Sequence, residues 1–242
     1  MQTLSFAGRN TKEVLRDPLT IAFGLGFPLI VLFLLSAIQA NVPISLFEID
    51  RLSPGVAVFG LSFISLFSGM LIAKDRDSSF LMRLFASPLR ASDYILGYAL
   101  PFLPIALAQI GITLLAALFL GLRFNAHLLA LLGILLITAV LFIAFGMLAG
   151  SVFNEKQVGV ICGALLANLS AWLSGIWFDV DLVGGWFRAL AEALPFIHAV
   201  EAARSAVAGD FAGVFPSLWW VIAYAMVALV AAVIAFRRNM EG

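Results

Sequence analysis

The segment Phe124–Asn154, FNAHLLALLGILLITAVLFIAFGMLAGSVFN, carries no charged side chain and decides the class of the fold. A helix needs about 20 consecutive apolar residues to cross a bilayer, and this segment exceeds that length. It is too long for a core strand and lacks the alternation of apolar and polar residues that marks a barrel strand. The segment therefore predicts a membrane-spanning α-helix.

Five further charge-free windows of this kind lie on either side of it. Within the six windows we predict spans at about 19–40, 53–73, 95–120, 127–151, 158–178 and 214–236. The first window begins only at Pro18 and is too long for the core of a cleavable signal peptide. We therefore expect one all-α, polytopic membrane domain over residues 1–242, with six transmembrane helices.

The composition supports a membrane protein. Of 242 residues, 63% are hydrophobic and 12% are charged, and the mean hydropathy is +1.08, whereas a soluble domain is roughly half apolar and a quarter charged. This excludes a soluble enzyme, a disordered tail and a nucleic-acid-binding domain. Lysine plus arginine and aspartate plus glutamate number 14 each, so no basic excess is left for a phosphate backbone. Cys162 is the single cysteine, which excludes an internal disulfide.

The distribution of lysine and arginine predicts the orientation. With a cytoplasmic N-terminus, ten of the 14 basic residues fall in inner segments and four fall in outer segments. The outer four are Arg51, Arg123, Arg188 and Arg204. Both termini are therefore predicted to be cytoplasmic.

Residues 1–17 form an amphipathic stretch before the first span. One face of a helix there would carry Leu4, Ala7, Val14 and Leu15. Asn10 followed by Glu13 resembles a capping box, which predicts that a helix starts at that point. We expect an interfacial helix on the cytoplasmic surface, and its simplest role is to anchor the first span and set its tilt.

The segment 74–93, KDRDSSFLMRLFASPLRASD, is the longest polar insert between two spans. Ser78 or Ser79 can cap a short helix there, and Pro88 stops it. One side of this helix carries Phe80, Leu81, Leu84 and Phe85. The charged residues around it are Asp75, Arg76, Asp77 and Arg83. Such a helix can dock into a groove of a cytoplasmic partner or dip into the lipid headgroups, and the periodicity is the same in both cases.

The outer segment 179–210 is long and only partly polar. We predict two short amphipathic helices broken at Pro195, forming a re-entrant hairpin or an outer cap on the bundle. Glu201 and Arg204 have the spacing of an ion pair on one helix face.

Several kinds of chemistry are missing from the chain. None of the lysines follows the glycine pattern of a P-loop, and neither a metal-site motif nor a serine-protease motif is present, so we expect no cofactor, no metal and no enzyme activity. The middles of the spans carry no charge, which argues against an ion-coupled transporter.

The pairs Gly146/Gly150 and Gly159/Gly163 are close-packing motifs, and contact within the chain is favoured over dimerisation. Polar residues within or near spans either line a lumen or hydrogen-bond between helices, and these are Asn41, Gln109, Thr113, Asn168 and Ser170.

The order of these parts resembles the type-2 ATP-binding-cassette permeases, the membrane subunits of many bacterial exporters. Three segments carry the resemblance. They are NTKEVLRDPLTIAFGLGFPLIVLFL at Asn10–Leu34, KDRDSSFLMRLFASPLRASDYILGYAL at Lys74–Leu100 and LPFIHAVEAARSAVAGD at Leu194–Asp210. In such permeases the polar segment after the second span is the coupling helix that docks on the ATPase. The resemblance assigns this role to Asp75, Arg76, Asp77, Phe80, Leu81, Arg83, Leu84, Phe85 and Pro88.

The resemblance also implies partners and cargo. Two permease chains, identical or different, would work with two separate ATPase chains in a bacterial cytoplasmic membrane. Cargo such as a drug, lipid or glycan would pass along the permease–permease interface, beside the first, second and fifth spans. From the residues alone, a membrane scaffold or assembly protein and a stand-alone channel or uniporter remain alternatives.

Overall fold

The computed structural model describes residues 2–45, 47–78 and 91–241. This part of the chain is helical and contains no strand. Five of its helical segments are long and apolar enough to cross a membrane, and one of them, Asp93–Phe119, consists of two consecutive helices. They are Pro18–Asn41, Ile49–Asp77, Asp93–Phe119, His127–Val152 and Phe211–Arg238. The all-helical, multi-pass prediction is confirmed, whereas the predicted span at 158–178 is not among these five.

We number the helices in chain order. They are α1 (Gln2–Arg16), α2 (Pro18–Asn41), α3 (Ile49–Asp77), α4 (Ala91–Ala99), α5 (Phe102–Phe119), α6 (His127–Val152), α7 (155–172), α8 (Gly185–Ala193), α9 (Pro195–Ala208) and α10 (Phe211–Glu241). Two helices contain π-helical turns, which widen the helix locally: Ala22–Gly26 in α2 and Gly159–Leu166 in α7. The turn in α2 lies just before Pro28, and a proline within a helix is a common cause of a kink.

Helix α3 is the centre of the bundle. Of its most apolar window, 89% is buried, against 22% for α2 and for α10. The helix is rich in serine, and the hydroxyls of Ser62 and Ser65 donate to the carbonyls of Phe59 and Ser62, both at 2.6 Å. These bonds satisfy the hydroxyls of Ser62 and Ser65 within the helix, which lowers the cost of burying them among apolar neighbours, whereas the buried hydroxyl of Ser53 on the same helix has no hydrogen-bond partner.

Small residues bring α3 and α6 into close contact. A Cβ placed on Gly146 would overlap Ser68 Oγ and the carbonyl of Ser65, and one placed on Gly150 would overlap the carbonyl of Gly69. By contrast, a Cβ on Gly159 would meet nothing within 4 Å, and one on Gly163 would meet the Leu66 side chain at 3.2 Å. The first glycine pair therefore lies where the backbones of α3 and α6 approach closely, and the second pair does not.

The N-terminal helix differs from its prediction. α1 already begins at Gln2, so the capping box expected at Asn10 is wrong. Asn10 is fully buried and donates from Nδ2 to the carbonyl of Gly97 at 3.0 Å, because this face of α1 packs on α4. Ala7 and Val14 are buried as expected, but Leu4 and Leu15 are 71% and 55% exposed.

Aromatic contacts place the two ends of the chain together. The Phe6 ring on α1 packs edge-on against Tyr98 of α4 at 5.0 Å, and Tyr98 in turn contacts Phe236 of α10 at 6.3 Å. We call this end of the bundle the terminal end.

The segment predicted as an outer hairpin contains two helices, α8 and α9, and α9 starts at Pro195 where the break was predicted. The two differ in burial. α9 is embedded in the bundle, with Ala199, Val200 and Ala203 fully buried, whereas Trp186 on α8 is 76% exposed. A proline at the first helical turn fits without strain because its missing N–H would be unpaired there anyway.

Candidate functional site

An aromatic cleft lies between α2, α3 and α7 and has a volume of about 450 Å³. Its lining residues are Phe27, Phe59, Phe63, Gly163, Ala167, Asn168, Ala171, Trp172 and Trp177. The cleft exists because Phe59 and Phe63 stand one turn apart on α3 and face Phe27 of α2. Ring centroids are 5.3 Å apart for Phe27–Phe63 and 5.5 Å for Phe59–Phe63, both edge to face. Such pairs fix the ring orientations and contribute about 0.5–1.5 kcal/mol each.

The polar span residues divide between the cleft and the bundle interior. Asn168 lines the cleft, and its Nδ2 donates to the carbonyl of Ala164 at 2.7 Å. Gln109 and Thr113 are instead buried and hydrogen-bond to each other at 3.3 Å. Ser170 is buried, and Asn41 donates to the carbonyl of Ala37 within its own helix at 2.8 Å. An apolar, aromatic wall with one amide suits a hydrophobic or amphiphilic molecule rather than a small ion.

A charge network joins α1 to α3 and α4 at the terminal end. Arg9 donates to both carboxylate oxygens of Asp75, from Nη1 at 2.6 Å and from Nη2 at 3.0 Å. The hydroxyl of Tyr98 donates to the same carboxylate at 2.9 Å. Glu13 links Arg9 at 2.9 Å to Lys74 at 2.7 Å. We call these five residues the Arg9–Asp75 network.

The network is asymmetric in its exposure. The Asp75 side chain is 4% exposed, whereas that of Arg9 is 38% exposed. The hydrogen bond to Asp75 raises the pKa of Arg9, against the opposing effect of burial. Two-point binding by a guanidinium fixes geometry as well as charge, so α1 is held in one register on α3.

The structure describes part of the predicted docking segment. Asp75 belongs to the network, Arg76 donates from Nη1 to the carbonyl of Ser151 on α6 at 2.6 Å, and Asp77 is exposed at the end of α3. The remaining predicted docking residues lie outside the described residues: Phe80, Leu81, Arg83, Leu84, Phe85 and Pro88. Sequence reasoning missed Arg9 and Tyr98 as partners of Asp75. An aspartate at the end of an otherwise apolar span was the available signal, because a buried carboxylate needs a partner.

At the opposite end of the bundle, His198 of α9 contacts both α8 and α10. Its Nε2 lies 2.8 Å from the carbonyl of Glu192, its Nδ1 lies 3.7 Å from Glu201, and its ring stacks on Trp220 at 5.1 Å. Burial lowers the pKa of His198, but the hydrogen bonds to Glu201 and Glu192 outweigh it and leave the pKa above its usual 6.5.

This geometry predicts a dependence of stability on pH. A raised histidine pKa means that the folded chain binds the proton more tightly, so the added stability is full below about pH 6.5 and is lost as the pH rises through the folded value. His198→Gln should therefore lower the melting temperature more at pH 5.5 than at pH 8.5. Thermal unfolding of both proteins in detergent at the two pH values tests this, and equal losses at both would contradict it.

Comparison with known proteins agrees with these features. Residues 1–208 match the family described as ABC-2 type transporter. The chain is 29% identical over 206 residues to the putative transport permease ycf38 of Porphyra purpurea, a match that covers 79% of this chain and 69% of the relative. It is 28% identical over 204 residues to the protein of the same description from Pyropia yezoensis, with the same coverage. The chain is thus a multi-pass membrane transport permease that belongs to the ABC-2 type transporter family.

Proposed function

We propose that this chain is the membrane subunit of an ATP-driven exporter, powered by a separate ATPase that docks on the segment after α3. The observation that carries the proposal is the position of α3. This most buried helix runs from Arg51, whose carbonyl accepts a hydrogen bond from Arg204 of α9, to the Arg9–Asp75 network, and its chain continues directly into the segment with the docking pattern. A force applied to that segment would act on the helix that contacts most of the bundle.

Six crossings with both termini in the cytoplasm are part of this proposal. The contacts from Phe6 through Tyr98 to Phe236 support it, because an even number of crossings brings both chain ends to one face of a membrane. Helix α7 would be the sixth crossing. It begins close to the end of α6 and leads to Gly175, whose carbonyl accepts a hydrogen bond from Arg204 at the opposite end. The basic residues predict the same orientation, and the family resemblance implies a bacterial cytoplasmic membrane.

The aromatic cleft is the proposed cargo path. It is walled by α3, and the flanking helices present exposed apolar side chains, among them Ile30 and Leu34 of α2 and Val160 and Trp172 of α7. A second permease chain, identical or different, would complete the path on this side. The walls favour a drug-like, lipid or lipid-linked cargo over a small ion.

Affinity purification of the chain from its native membrane in mild detergent tests the proposal. We expect a P-loop ATPase in stoichiometric amount. We expect it to be lost when Phe80, Leu84 and Phe85 are changed to serine, since their apolar side would no longer fill a groove on the partner. The matched control changes the exposed Leu4 and Leu15 of α1 to serine and should retain the ATPase.

Two results would contradict the proposal in different ways. A wild-type chain that purifies without an ATPase would refute the ATP-driven exporter and favour a scaffold or a stand-alone transporter. Retention of the ATPase by the triple serine variant would refute the docking segment alone.

A further inference from the structure

A cavity of about 460 Å³ lies at the end of the bundle opposite the Arg9–Asp75 network. It is formed by the chain around the start of α3, by the turn that follows α7, and by α8 and α9. Its lining includes Arg51, Arg188 and Arg204 together with Phe47, Leu52 and Trp177. Charged and apolar groups therefore share one cavity, a combination that suits an amphiphile.

Arg204 is the central cation of this cavity. Its Nε donates to the carbonyl of Arg51 at 3.1 Å and its Nη2 to the carbonyl of Gly175 at 2.9 Å. The ion pair with Glu201 that the sequence suggested is absent, because Glu201 accepts from Ser217 Oγ at 3.2 Å and lies beside His198. Burial lowers the pKa of Arg204 to about 10, and the neighbouring charge of Arg51 acts in the same direction. Arg204 is still a cation at neutral pH, close to a second cation.

The carboxylates that line the cavity have other partners. Arg188 holds Asp181 at 2.8 Å and Glu192 at 2.7 Å. The Asp179 side chain accepts the backbone N–H of Asp181 at 3.0 Å, and Asp179 and Glu201 offset part of the effect that Arg51 has on the pKa of Arg204. Among the described residues, Arg51 and Arg204 are thus the cavity cations that have no carboxylate within ion-pair distance. Two neighbouring cations repel each other, and an anion bound between them would remove that repulsion.

The apolar side of the cavity leads toward the aromatic cleft. Trp177 lines both spaces, and its ring lies 5.7 Å from that of Phe59 in the cleft wall. A molecule with its acidic group at the arginines can therefore place its apolar part against Trp177.

We propose that this cavity binds an anionic amphiphile, with its phosphate or carboxylate group held by Arg51 and Arg204 and its apolar part against Trp177. The ligand is either a lipid of the surrounding bilayer or a transported molecule of the same chemistry. Binding at this site does not require the ATPase, so the inference stands apart from the proposed function.

Native mass spectrometry of the purified chain tests the site. The probes are phosphatidylglycerol, phosphatidylcholine of the same acyl chains, and inorganic phosphate. We expect phosphatidylglycerol to bind about tenfold more tightly than phosphatidylcholine. Both lipids carry a phosphate, but phosphatidylcholine would also bring its choline cation close to the two arginines, which repel it. Arg51→Gln and Arg204→Gln should each remove this preference, whereas the control Arg123→Gln, an exposed arginine that does not line the cavity, should keep it.

Each outcome bears on the proposal. Equal affinity for the two lipids in the wild-type chain, or a preference unchanged in Arg51→Gln, would overturn it. Binding of inorganic phosphate as tight as that of phosphatidylglycerol would overturn the amphiphile and leave a simple anion site. Arg51 is exposed, so its variant gives a result even if Arg204→Gln fails to fold. To separate the two sources of the ligand, the chain is purified from its native membrane and the bound anionic amphiphile is identified. An abundant membrane lipid indicates the bilayer as the source, and a minor component indicates a transported molecule.

Discussion

Replacement of Arg9 by leucine should destabilise the chain by about 2 kcal/mol, less than the usual loss at a fully buried ion pair because Arg9 is 38% exposed and solvent screens its charge. The variant leaves the Asp75 carboxylate almost fully buried, with Tyr98 as its remaining side-chain hydrogen-bond donor. Cys162 provides the readout because it is the single cysteine and is 1% exposed, so a thiol-reactive dye labels it only on unfolding. The melting temperature measured by this labelling should fall clearly below that of the wild-type chain.

Two further variants separate the ion pair from a general effect of changing α1. Arg16→Leu removes an exposed arginine from the same helix and should change the stability by less than about 0.5 kcal/mol. The double variant Arg9→Leu with Asp75→Leu removes the unpaired carboxylate and should regain most of the loss. Equal melting temperatures for Arg9→Leu and Arg16→Leu would show that the network does not hold α1 on the bundle.

Replacement of Gly146 by valine should separate α3 from α6 and cost about 3 kcal/mol, at the upper end of the range for overpacked interiors. The added Cβ would overlap Ser68 Oγ and a backbone carbonyl on α3, and a backbone cannot turn aside as a flexible side chain can. We expect a lower melting temperature in the Cys162 labelling assay and a reduced yield of folded protein in the membrane.

The matched control is Gly133→Ala on the same helix. A Cβ at Gly133 would meet nothing within 4 Å, and alanine favours a helix over glycine by up to about 1 kcal/mol, so this variant should be as stable as the wild type or slightly more stable. If Gly146→Val had the same melting temperature as Gly133→Ala, the close approach of α3 and α6 would not limit stability.

Local sequence features predicted the helices but not their partners. Long charge-free windows predicted the five helical segments that are long enough to cross a membrane. Pro195 predicted the break between α8 and α9. The start of α1 was predicted eight residues too late, at Asn10 rather than Gln2, because a local capping pattern does not reflect the contacts that the whole helix makes. The buried amide of Asn10 bonds to Gly97, which no local pattern indicates.

For the candidate sites, the sequence indicated some of the residues but not the neighbours that they contact. The expectation of a path beside the first, second and fifth spans came from a family resemblance, and the structure brings Phe27, Phe63 and Asn168 of α2, α3 and α7 to one cleft. The spacing of Glu201 and Arg204 favoured an ion pair, but each residue has stronger partners on other elements. Spacing along a helix shows only which residues share a face, and not which neighbour that face meets.

The sequence by itself determined that the chain is a helical membrane protein, where most of its helices run and which family it resembles. These properties depend on the transfer of apolar residues from water and on local backbone geometry. Both are determined by residues that are adjacent in the sequence. The tertiary structure decided that Asp75 is bound by Arg9, 66 positions away, and that Arg51 and Arg204 share a cavity although 153 positions separate them. Such pairs depend on how whole helices pack, because burial makes a charged group take its partner from whichever element lies nearest.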